Sequence, residues 1–96
     1  MFHDTKAMAA VTIRIGGRVH GVFFRVSACD KALSLGVVGF VRNEPDGSVY
    51  IEAEGGKEIL EEFAKWCRIG PARAEVMTFI MDETKEKGYV GFQIRR

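Results

Sequence analysis

One short stretch of the chain has the residue types and spacing for chemistry on a small anion: Gly17–Arg25, GRVHGVFFR. Gly17 and Gly21 admit backbone conformations closed to residues with a β-carbon. Successive N–H groups in such a turn can point at one centre, and a helix starting just beyond it adds the partial positive charge of its N-terminus. Arg25 falls in the first turn of that helix. From there its guanidinium can fold back over the same centre and grip two phosphate oxygens. The stretch reads as a phosphate cradle. It lacks the Lys-Ser/Thr of a P-loop and does not match GxGxxG.

A second piece is Val41-Arg42-Asn43, followed by Asp46-Gly47-Ser48-Val49. An Asn amide is no base near neutral pH, but it donates and accepts hydrogen bonds and so can orient a water. Taken alone, Asn43 equally suits a strand end that opens a turn.

The elements that must position these residues follow from periodicity. Ala10–Gly16 alternates Val11, Ile13 and Ile15 with Thr12 and Arg14, a half-buried strand, and Gly17–Gly21 is a loop. Phe24–Leu35 reads as a helix with Ala28, Cys29, Ala32 and Leu33 on its apolar stripe and Gly36 to end it. Val37–Asn43 and Ser48–Glu54 form a hairpin about the turn residues Glu44–Gly47. Val49, Ile51 and Ala53 lie on one face of its second strand and Tyr50, Glu52 and Glu54 on the other. Lys57–Ile69 is an amphipathic helix burying Leu60, Phe63, Ala64 and Cys67, stopped by Gly70-Pro71. Ala74–Met81 is a fourth strand whose Met77, Phe79 and Met81 form a row in the core or under the last strand. Asp82–Gly88 is a charged loop, expected to be mobile. Tyr89–Arg95 closes the chain with Val90, Phe92 and Ile94 inward. The order β-α-β-β-α-β-β predicts an α+β, ferredoxin-like (split β-α-β) sandwich: a mostly antiparallel sheet of four or five strands with both helices on one face.

GRVHGVFFR, then LGVVGFVRN (Leu35–Asn43), DGSV (Asp46–Val49) and the closing GFQIR (Gly91–Arg95) resemble the acylphosphatase family in residues, spacing and order, from about Val11 to Arg95. The resemblance implies hydrolysis of the carboxyl–phosphate bond of small acyl phosphates such as acetyl phosphate, carbamoyl phosphate and 1,3-bisphosphoglycerate. Inorganic phosphate would be a product. It implies that Arg25 and the loop amides of Val19, His20, Gly21, Val22, Phe23 and Phe24 bind the phosphoryl group and that Asn43 positions the attacking water. Neither a metal, a cofactor nor a covalent intermediate is implied. His20 stands where the family often has Gln, and its side chain is expected to point away from the cradle, bearing at most on pH dependence. Of Phe23 and Phe24, one anchors the loop in the core and the other can line the acyl entrance.

Composition bounds the remaining possibilities. Ninety-six residues make one domain, read here as 10–96 behind a flexible lead-in at 1–9, with Met8 a candidate alternative start. The formal net charge of +1 argues against nucleic acid held by bulk positive charge, and the first strand offers Thr12 and Arg14 but no aromatic on its open face, unlike an RNA-recognition module. The charge is nonetheless uneven: Ala10–Asn43 carries five basic residues against one acidic, a local +4 around the cradle. Arg18 and Arg42 are expected to be solvated and to enrich anions there. Cys29 and Cys67 read as buried free thiols and Trp66 as a core-edge residue. No apolar run is long enough for a signal peptide or a membrane span, so the expectation is a cytoplasmic monomer without membrane or nucleic-acid partners. A catalytically silent module on the same fold is the other reading, against which the pairing of Arg25 with Asn43 counts.

Overall fold

Alternating Val11, Ile13 and Ile15 face Ala53, Ile51 and Val49 across an antiparallel ladder, and these six side chains form the floor of the core. In the computed structural model, which describes residues 8–96, that ladder joins β1 (Met8–Arg18) to β3 (Val49–Gly56). The other elements are α1 (Phe24–Leu35), β2 (Val38–Asn43), α2 (Lys57–Ile69), β4 (Glu75–Glu83) and β5 (Phe92–Arg95). The sheet order is β4-β1-β3-β2-β5. All neighbours are antiparallel except β2 and β5, which run parallel. Both helices bury their apolar sides in the one core, making the expected ferredoxin-like α+β sandwich.

The helices close over the sheet through large side chains. Phe63 of α2 is fully buried, edge-on to Phe92 of β5 with centroids 5.9 Å apart, and Phe24 of α1 packs against Trp66 at 5.6 Å. The stripe of α2 is as expected: Leu60, Phe63, Ala64 and Cys67. On α1 the buried residues are Phe24, Ala28 and Ala32, whereas Leu33 is exposed. One further turn of the helix carries position 33 past the edge of the apolar stripe. Small residues at 28 and 32 let α1 approach the sheet closely. Cys29 and Cys67 are free thiols, and burial pushes both thiols above their ordinary range.

Several expected boundaries and faces need correction. β1 begins at Met8, before the boundary drawn at residue 10, and continues through Gly17 and Arg18, which were placed in the loop. A bulge between Gly16 and Gly17 lets the strand run on, and Gly17 at φ 121° has no room for a β-carbon against the Glu75 carbonyl. The remainder of the lead-in lies outside the described residues. β5 is shorter than expected: only Phe92 faces the core, while Val90 and Ile94 are exposed. It joins the edge beside β2, so it does not cover β4. Met77 and Met81 are consequently exposed on the opposite edge and only Phe79 packs against the core.

Glu54 sits on the face of β3 away from the helices, as expected, yet it is buried. The segment after β4 folds across it, and the N–H groups of Lys87, Gly88 and Tyr89 donate to its carboxylate at 2.6, 3.2 and 3.4 Å. Nearby, Glu52 accepts from Tyr50, Tyr89 and Lys87. The charged segment expected to be mobile is thereby pinned to the sheet at its 87–89 end. Arg42, expected to be solvated, binds Glu44 at 2.5 Å and stacks on Tyr50.

Candidate active site

Five residues, 19–23, join the end of β1 to the start of α1. Two of them turn left-handed: Gly21 at φ 72° and Phe23 at φ 63°. Phe23 is the only described non-glycine residue with positive φ, a conformation that costs about 1–3 kcal/mol and is kept where surrounding structure enforces it. Here Val19, Val22 and Phe24, all buried, anchor the loop on both sides. Phe23 itself is 70% exposed. The two phenylalanines therefore divide the roles left open by the sequence: Phe24 is the anchor and Phe23 the lip.

Phe23 is also the N-cap of α1, and no side chain caps the helix there. No acidic residue occupies the first turn. The leading N–H groups of α1 are thus free for an external acceptor, with the helix dipole behind them. Arg25 stands in this turn. Its Nη1 donates to the Arg95 carbonyl of β5 at 3.3 Å. That bond steadies one edge of the guanidinium and leaves the remaining N–H donors for a ligand.

Asn43 is the last residue of β2, opposite Val49 in the hairpin. Its Oδ1 is buried and has no hydrogen-bond partner among the described residues. An unmatched buried acceptor costs on the order of 1–3 kcal/mol and calls for a functional explanation. The hairpin that holds it is closed by Asp46, which accepts from Ser48 N at 2.9 Å and Ser48 Oγ at 2.6 Å. Those bonds hold the Asp46 carboxyl below its usual range.

These groups meet. Val19, Gly21, Phe23, Phe24, Arg25, Val26 and Asn43 line one cavity of about 220 Å³. Of the residues singled out from sequence, His20 and Val22 are not on it; both line a second groove that shares Gly21 with the first. His20 instead makes a hydrogen bond from Nε2 to the Ser48 carbonyl at 2.9 Å. Val26 was missed by sequence reading, although its position three residues after Phe23 puts both on one helix face. Apart from the Arg25 guanidinium the walls are apolar or amide, so they offer positive charge, backbone donors and one oriented amide. Among the described residues no three His, Cys, Asp or Glu side chains gather as metal ligands.

Comparison with known proteins assigns the chain to a family. The acylphosphatase family model matches residues 11–94. The chain belongs to the acylphosphatase family. With that family it is a hydrolase. It is 42% identical to an acylphosphatase of Trichormus variabilis over 86 residues, covering 90% of this chain and 85% of that protein. A Nocardioides acylphosphatase is 39% identical, with 96% and 93% covered. Among solved structures, an acylphosphatase from Coxiella burnetii superposes with a TM-score of 0.89 at 31% identity, covering 92% of this chain and 93% of that one. The Bacillus subtilis acylphosphatase also gives 0.89, at 30% identity and with 93% and 99% covered. Among the described residues no helix is long and apolar enough to cross a membrane.

Proposed function

We propose that the protein hydrolyses the carboxyl–phosphate bond of small acyl phosphates, releasing a carboxylate and inorganic phosphate. The observation that carries this reading is the sharing of one cavity by Arg25, the uncapped start of α1 and the unpartnered Oδ1 of Asn43. The phosphoryl oxygens sit against the loop and helix N–H groups, and Arg25 neutralises the charge they carry in the loose transition state of phosphoryl transfer. Asn43 Oδ1 accepts a hydrogen bond from a water and aims its oxygen at phosphorus. The P–O bond to the acyl group breaks and the carboxylate leaves unprotonated, since carboxylates ionise near pH 4. Among the described residues no side chain on the cavity is a base near neutral pH, so the water's proton passes to a phosphoryl oxygen or to solvent. Phe23 and Val26 form an apolar lip for the acyl group.

Hydrolysis of benzoyl phosphate by the purified protein, followed by phosphate release, tests the proposal. Turnover above the spontaneous rate is expected, and a rate equal to buffer alone would refute it.

A further inference from the structure

Two grooves adjoin the loop between β1 and α1. Val19, Gly21 and Phe23 line the cavity that holds Arg25 and Asn43. Arg18, His20 and Val22 line the second, where Arg73 joins them around a groove of about 500 Å³. Gly21 belongs to both. A β-carbon at Gly21 would meet nothing within 4 Å, so the space beside this shared residue is open.

The two arginines of this groove differ from their neighbours. Arg14 and Arg42 contact Glu44, Arg68 and Arg95 stack on Phe79 and Phe40, and Arg25 donates to a carbonyl. Arg18 and Arg73 are exposed and, among the described residues, have neither an ion pair nor an aromatic partner. Glu75, opposite Arg18 in the β1–β4 ladder, forms no ion pair with it. His20 adds no hydrogen-bond donor in its neutral form, because Nε2 is committed to Ser48 and Nδ1 is then an acceptor. Two free guanidiniums beside an open glycine suit a single carboxylate or phosphate.

We propose that Arg18 and Arg73 form a subsite for a second anionic group at the far end of the acyl chain, so that acyl phosphates with an anionic tail are preferred to neutral-tailed ones of equal length. The phosphoryl group occupies the cradle, the acyl chain leaves it past the Phe23 lip and over Gly21, and the distal anion meets the two arginines. This rests on the acyl phosphate reading above and extends it to substrate choice.

The test compares adipoyl monophosphate with hexanoyl phosphate, six-carbon substrates that differ in one terminal carboxylate. Wild type and the Arg18→Gln/Arg73→Gln double variant are assayed with both, and the inhibition constant for inorganic phosphate is measured alongside. The expected result is a rise in KM of about tenfold for adipoyl phosphate in the double variant, the order of one charge-assisted hydrogen bond. Hexanoyl phosphate kinetics and phosphate inhibition should stay within about twofold. The preference for the diacid should also shrink as salt is raised. Equal losses on both substrates, or none on either, would overturn the subsite while leaving the hydrolase reading standing. Failure of wild type to turn over hexanoyl phosphate would instead strike the hydrolase reading, and the subsite with it.

Discussion

His20 Nε2 lies 2.9 Å from the Ser48 carbonyl, and this bond ties the anion loop to the hairpin that carries Asn43. A carbonyl only accepts, so Nε2 carries the proton. The loop that leads into Arg25 and the hairpin that bears Asn43 are thus held in register by one imidazole. Replacing it with Ala should cost about 1 kcal/mol and lower Tm by roughly 4–8 °C. It should also lower kcat for benzoyl phosphate, since the two sides lose their tether. His20→Gln, whose amide can donate, should restore most of both. Melting curves and steady-state kinetics on the three proteins check this, and an Ala variant with unchanged kcat would remove the tether from the account.

Arg25 and Asn43 should fail in different ways. Arg25→Ala removes the only side-chain cation that the described residues bring to the cavity, so inorganic phosphate should cease to inhibit and turnover should nearly vanish. Asn43→Ala should leave phosphate inhibition largely intact while turnover drops by ~10²–10³, the worth of a lost oriented hydrogen-bonding group. Equal loss of phosphate affinity in both variants would contradict this division.

Charge in the cradle comes from Arg25 and backbone N–H groups, so activity is expected to survive prolonged EDTA treatment. Benzoyl phosphate turnover before and after chelation measures this, and loss reversed by a divalent metal would require a different source of charge.

Gly39 in β2 should be far less replaceable than Gly47 in the hairpin turn. A β-carbon at Gly39 would stand 1.9 Å from the Glu52 carbonyl oxygen, backbone that can move only if β2 and β3 part. Gly39→Ala should therefore cost at least about 3 kcal/mol. Gly47 at φ 93° has open space around it, and Ala there should cost only ~1–2 kcal/mol for the left-handed backbone. Urea unfolding of the two variants ranks them.

Glu52 gives the fold an acid-sensitive element. Burial pushes its carboxyl up, but bonds from Lys87, Tyr89 and Tyr50 together outweigh that and hold it at about 2. A depressed folded-state pKa contributes stability above the unfolded value, near 4.3, and that contribution fades as pH falls toward 2. Glu52→Gln should be less stable than wild type at pH 7 and should lose less between pH 5 and pH 2. Denaturation midpoints across that range show whether the acid limb flattens. On the alkaline side, burial and the Glu52 bond raise the Tyr50 hydroxyl to about 12, a contribution lost as pH climbs from 10 to 12.

The order of elements was legible from periodicity, and it gave the ferredoxin-like sandwich. Gly21, Arg25 and the helix start are contiguous, so local spacing was enough to place them beside one another, and they do line one cavity. Asn43 was ambiguous from its own surroundings, because what separates a turn residue from a cavity residue is the absence of a partner for Oδ1, a fact of tertiary packing. The faces of edge elements were hidden for the same reason. Val90 and Ile94 alternate with Phe92 like core residues, but an edge strand of four residues has only a narrow strip of core beneath it. Glu54 looked like a solvated carboxylate because nothing local announces that residues 87–89 will donate three N–H groups to it. The division of labour between Phe23 and Phe24 depended on a left-handed residue that propensity disfavours.

The bond from Arg25 to the Arg95 carbonyl joins residues seventy positions apart. During synthesis α1 leaves the ribosome long before β5 exists. A nascent chain halted before residue 92 lacks both the Phe92 ring in the core and the carbonyl that steadies Arg25. The backbone support of the Arg25 guanidinium is therefore the last to be made, together with closure of the sheet at its β2 edge.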